Sequence, residues 1–161
     1  MSTLTFSNLK SPRALMLLGI FLAVVIGVGA AIGVVTAPGE WYDSLQKPPF
    51  NPPSWLFAPV WTTLYVLIAI AGWRTFLAEP NSTGMKLWYA QMVLNWIWSP
   101  VFFVLHGLWP AFFIIVVTWA AIAAFIVNRW NRDRISAWLF VPYLAWVSFA
   151  TLLNVSLAIL N

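Results

Sequence analysis

The chain has 161 residues, of which 62% are hydrophobic and only 7% charged, with a formal net charge of +4 and no cysteine. An ordinary soluble domain carries about 25% charged residues, and a small one needs polar side chains to cover its large surface. The composition therefore excludes a disordered chain, a coiled coil, a disulfide scaffold and Cys-based catalysis or metal binding, and points to a membrane protein.

Charges are costly in hydrocarbon, so the gaps between them mark the spans. Residues 14–39 and 48–73 carry no charge, nor do 87–128 and 135–161. A helix crosses the hydrocarbon core with about 20 residues, so the long third gap holds two. It breaks at His106-Gly107-Leu108-Trp109-Pro110, where Gly and Pro punctuate. The spacing predicts an all-α membrane protein, a single domain over 1–161 with five transmembrane helices at 13–36, 55–78, 86–105, 109–129 and 135–159.

The first helix follows Lys10 and Arg13. Its apolar run exceeds the ~7–15 residues of a signal peptide core, so it is read as a retained span. Gly19, Ala23, Gly27 and Ala31 put a small residue at every fourth position, with Gly29 and Gly33 as a second pair. Such rows allow close helix packing, either within the monomer, which is the favoured expectation, or in a dimer. The loop after it is stiffened by Pro38, Pro48, Pro49, Pro52 and Pro53 and carries Trp41, Tyr42, Leu45 and Phe50. It is suited to act as a lid over one end of the bundle.

The second helix repeats Ala58, Trp61 or Thr62, and Tyr65. The third places Trp88, Gln91, Asn95, Trp98 and Phe102 on one face. Gln91 and Asn95 need partners at membrane depth, so that face should point inward. The fifth offers Tyr143, Trp146, Ala150 and Asn154, where the small Ala150 leaves room beside Trp146 for a flat ring. The 12 tryptophans divide by position: Trp55, Trp73, Trp130 and Trp138 suit the interfacial belt, whereas Trp61, Trp98, Trp119 and Trp146 lie deeper. Three stripes on three helices, each joining aromatic and neutral polar groups, suggest a stacking pocket.

Lys10, Arg13, Arg74, Lys86, Arg129, Arg132 and Arg134 fall on one face of the membrane and Lys47 alone on the other. That bias puts the N-terminus and the second and fourth connections inside and the first loop on the opposite side. No basic patch on a soluble fold suggests nucleic acid as a partner. No span carries a charge in its middle, which argues against an ion-coupled carrier. His106, the only histidine, sits at a helix junction and reads as an interfacial residue. No nucleophile–base set, paired carboxylates or metal cluster can be assembled, so catalytic and metal-binding residues are not expected.

Three stretches, Trp41 to Pro48 with Asn51 to Tyr65, Gln91 to Phe103, and Pro142 to Asn154, resemble the TspO/MBR family of tryptophan-rich sensory and translocator proteins. The resemblance covers roughly 15–158. It implies a five-helix bundle, often a homodimer in membrane lipid, that binds porphyrins as ligands and requires no cofactor. Its ligand positions fall on Trp41, Trp61, Tyr65, Asn95, Trp98, Trp146 and Ala150, and the helix pattern adds Ala58. Some bacterial members are associated with light-dependent breakdown of protoporphyrin, and the tryptophans implicated there match Trp61 and Trp146. A membrane receptor or sensor is the leading expectation. Photooxidative degradation and transport of porphyrins or other apolar molecules are the alternatives. The Leu-x-Tyr-x-x-x-Arg pattern of sterol-binding members reads Leu153, Val155 and Ile159 here, so sterol binding does not carry over. The Asp that many members have early in the fourth helix is matched by Ile114.

Overall fold

The structure, a computed structural model, describes residues 9–161; residues 1–8 of the single expected domain lie outside it. The described residues form helices and no strand. Helix α1 spans Pro12–Val35; its cap, Ser11, accepts a hydrogen bond from the Ala14 amide at 3.2 Å, and Pro12 occupies the first turn, where its missing N–H costs nothing. The first loop holds a short helix, α2 (Glu40–Ser44), and a 3-10 turn at Ser54–Leu56. Helices α3 (Phe57–Ala78), α4 (Thr83–Phe103), α5 (Leu108–Trp130) and α6 (Arg134–Leu160) follow. Tight connections make consecutive helices antiparallel neighbours.

Each predicted span coincides with a helix to within a few residues. Among the described residues, four stretches are long and apolar enough to cross a membrane: Pro12–Val35, Ser54–Ala78, Leu108–Trp130 and Arg134–Leu160. Helix α4 has 21 residues but is diluted by Gln91, Asn95 and its tryptophans.

The core lies among α3, α4, α5 and α6, where Ile68, Met92, Ile122, Phe125 and Phe140 are buried. Helix α1 lies against α3 at the edge, burying only Ala14, Val25 and Gly29. This overturns the favoured reading of the small-residue row. Gly19, Ala23, Gly27 and Ala31 are exposed, and a Cβ added at Gly19 or Gly27 would meet nothing within 4 Å. Gly29 is the close-packing glycine, since a Cβ there would lie 2.3 Å from Cε2 of Tyr65.

Two tryptophan assignments also change. Trp73 is buried rather than interfacial, and its Nε1 donates to the Ala14 carbonyl at 2.7 Å, tying α1 to α3. Trp119 stands on the exterior of α5, donating to Ser148 Oγ at 2.8 Å. Charge spacing measures depth along a helix and says little about which way a residue faces.

The basic end of the bundle is locked by two ion-pair groups. The Arg74 guanidinium grips Asp133 with Nε at 3.0 Å and Nη2 at 2.8 Å, and Ser136 Oγ donates to the same carboxylate. Glu79 Oε2 accepts from Arg129 at 3.1 Å and from Arg132 at 3.4 Å. Burial alone would raise both carboxylates. The hydrogen bonds and charges of these arginines, with Ser136 adding to Asp133, outweigh it and hold both below their ordinary values.

Candidate functional site

Tyr65, on α3, donates its hydroxyl to Asn95 Oδ1 at 3.2 Å. Asn95, on α4, passes its Nδ2 proton toward the Tyr143 hydroxyl of α6 at 3.1 Å. Three helices are thus joined at mid-depth by a neutral chain. Each polar group meets the requirement for a partner away from water. Trp61 lies one helical turn from Tyr65, with ring centroids 5.5 Å apart, and meets Tyr143 edge-on at 6.3 Å. Trp146 contacts Phe57 at 5.9 Å and Phe149 at 5.6 Å. Its indole nitrogen is buried without a partner among the described residues.

Trp98 lies toward the first-loop end. Its Nε1 donates to Asn154 Oδ1 at 3.1 Å, while Asn154 Nδ2 donates to the Leu108 carbonyl at 3.0 Å. The ring stacks on Phe102 with centroids 4.9 Å apart. Gln91 points inward as expected and is fully buried; its Nε2 donates to the Trp88 carbonyl at 2.9 Å, while Oε1 has no partner among the described residues.

The first loop packs against one end of this assembly, with Trp41, Tyr42 and Leu45 on the cluster around Phe102. Trp41, on α2, stacks flat on His106, with centroids 4.0 Å apart and 13° between planes, and meets Phe102 edge-on at 5.9 Å. His106 sits in the left-handed region at φ 53°, uncommon for a non-glycine residue. Tyr42 packs on Phe103 and donates to Asn51 Oδ1 at 3.3 Å; burial pushes its phenol above the ordinary value. Asn161 binds the loop backbone twice, Oδ1 accepting from the Gln46 amide at 2.9 Å and Nδ2 donating to the Gln46 carbonyl at 3.1 Å.

Of the predicted residues, Trp61, Tyr65, Trp98, Trp146 and Ala150 border one core cluster, and Asn95 is hydrogen-bonded to its member Tyr143. Trp41 belongs to a second cluster that shares Trp98 with the first. Ala58 is exposed and joins neither. Sequence reading missed His106 as a partner of Trp41, because a junction residue carries no periodic signal. Tyr143 and Asn154 were visible as a stripe, but nothing in the sequence paired them with Asn95 and Trp98. A separate apolar groove of about 740 Å³ runs along the outside of α3 and α6, and of the predicted residues only Trp146 lines it.

The TspO/MBR family model matches residues 19–160. The chain is 40% identical over 142 residues to Protein CrtK of Rhodobacter capsulatus, covering 86% of this chain and 89% of that one. It is 38% identical over 141 residues to the Tryptophan-rich sensory protein of Cereibacter sphaeroides, covering 88% and 89%. Against the human Translocator protein, identity is 35% over 136 residues, covering 79% and 80%.

Proposed function

The chain belongs to the TspO/MBR family, and from that premise we propose that it is an integral membrane receptor or sensor for porphyrins and similar flat apolar ligands. The observation that carries this reading is the Tyr65–Asn95–Tyr143 chain beside Trp61. It sets neutral hydrogen-bonding groups next to an indole face, the combination a flat ring with peripheral acceptors needs. Tyr143 accepts from Asn95 and keeps its own hydroxyl proton to donate. The porphyrin is a ligand here and not a resident cofactor. The first loop acts as the lid, with Trp41 above the ring.

Titration with protoporphyrin should quench tryptophan fluorescence saturably. Aromatic pairs contribute about 0.5–1.5 kcal/mol each, so Trp61→Phe with Trp146→Phe should weaken binding roughly tenfold. Unchanged affinity in that double variant would remove the assignment of the site.

This reading takes α4 as a fifth span. The Glu79–Arg129 pair puts the ends of α3 and α5 on one face. Helix α4 starts at that face and ends where α5 begins, so if α5 crosses the bilayer α4 crosses it too. The same face collects the basic residues, which supports placing it inside.

We further propose a homodimer formed through the outward row Gly19, Ala23, Gly27 and Ala31 of α1, whose small side chains let two helices approach closely. Gly27→Trp should shift the dimer to monomer in light-scattering chromatography; an unaltered dimer would place the contact elsewhere.

A further inference from the structure

The groove outside α3 and α6 shares Trp146 with the cluster described above, but none of Trp61, Tyr65, Asn95 and Tyr143 lines it, and the porphyrin reading gives it no ligand of its own. At the basic end the two helices are held together by Arg74 and Asp133. Toward the first loop they leave a cleft of about 740 Å³, with Trp55, Pro59, Thr63 and Leu67 on one wall and Pro142 and Trp146 on the other. No lining residue is charged. The Thr63 hydroxyl is spent on the Pro59 carbonyl at 2.9 Å. Trp55, at the loop end, is 70% exposed, as expected of a residue at headgroup level.

We propose that this groove holds one acyl chain of a glycerophospholipid from the leaflet on the first-loop side. Length is the first argument. From Trp55 to Leu67 the helix rises about 18 Å, close to half of the ~30 Å hydrocarbon core. The groove is therefore one leaflet deep, opening at the helix end and closing near its middle. Orientation is the second, because its open side is the exterior of the bundle, where lipid lies. The third is polarity. The walls are apolar and the lining hydroxyl of Thr63 is already bonded, so the cleft suits a hydrocarbon chain and not a polar group. Trp55, exposed at its open end, stands where the ester and headgroup of such a lipid lie.

The test places the full chain in phosphatidylcholine nanodiscs doped with phosphatidylcholine carrying a diazirine midway along one acyl chain. After irradiation, labelled peptides are mapped by mass spectrometry. Segments 59–67 and 142–149 should be labelled roughly fivefold above segment 113–119 on the exposed side of α5, which takes no part in the proposed dimer contact, the ratio given by about 1 kcal/mol of preferential binding. Ala145→Trp and, separately, Thr63→Phe fill the groove from opposite walls. Each should lower groove labelling to the α5 level and leave α5 labelling unchanged. Equal labelling of the groove and α5 in the unmodified chain, or labelling unmoved by both variants, would mean annular lipid only and overturn the proposal. Loss of groove labelling on saturation with protoporphyrin would overturn it in another way, assigning the groove to the ring ligand. The porphyrin site itself is read by fluorescence, so failure of one reading leaves the other standing.

Discussion

Asp133→Asn should cost about 3–5 kcal/mol, the usual result of stranding one partner of a buried ion pair. Asp133 and Arg74 are 7% and 12% exposed, so water does little to screen the charge that remains. The substitution leaves Arg74 without its two-pronged acceptor and Ser136 without a charged one. The measurement is the temperature at which half of the detergent-solubilised protein loses its fold. Arg74→Met combined with Asp133→Leu should recover most of the loss, because apolar replacement of a whole buried pair is commonly near neutral. Acid should mimic the single variant. Asp133 and Glu79 are held below their ordinary values of 3.8 and 4.5. The stabilisation they supply is present above those values and disappears as pH falls through the lower folded ones. The unfolding temperature should be level from pH 7 down to the ordinary carboxylate range and decline below it. A decline already complete at pH 6 would remove these carboxylates as the cause.

Two glycines one turn-half apart on α1 should behave in opposite ways. Gly29→Ala puts a methyl 2.3 Å from Cε2 and 2.7 Å from Cζ of Tyr65, so the ring must move. Overpacking of this kind costs about 1–3 kcal/mol. The displaced ring pulls its hydroxyl off Asn95, where the bond is 3.2 Å. Both thermal stability and protoporphyrin affinity should therefore fall. Gly27→Ala meets nothing within 4 Å and replaces a poor helix former with the best, a change of about 1 kcal/mol in favour of the helix. Its stability should be equal or higher and its porphyrin affinity unchanged. Equal behaviour of the two variants would refute the close contact of α1 with Tyr65.

The glycine pair also marks where sequence reasoning stops. Spacing identified every fourth position of α1 as small but could not say which row faced α3, because both rows look alike without their neighbours. Charge gaps located the helix ends well, with one instructive exception. Charge spacing starts the third span at Lys86, yet α4 begins at Thr83 under a cap from Ser82, whose Oγ accepts from the Met85 amide at 3.2 Å. A long Lys side chain can reach back to the interface, so its charge does not end a helix. The inward face of α4 was legible because Gln91 and Asn95 recur with the helical period and must find partners. The identity of those partners was not. Tyr143 lies 48 residues from Asn95 and Asn154 lies 56 from Trp98, and only the packing of antiparallel helices brings them level. The contact of Trp41 with His106 rests on an irregular loop and a left-handed turn, which leave no periodic trace.

The two hydrogen bonds between Asn161 and Gln46 span 115 residues of sequence and close the chain into a ring at the mouth of the bundle. A free surface loop moves in nanoseconds to microseconds. This one is held at Trp41 by a stack on His106 and at Gln46 by Asn161, the residue that follows α6, so its opening as the proposed lid requires both attachments to break. Entry of a ligand beneath such a lid is then paced by local unfolding on scales of roughly microseconds to seconds rather than by free loop motion.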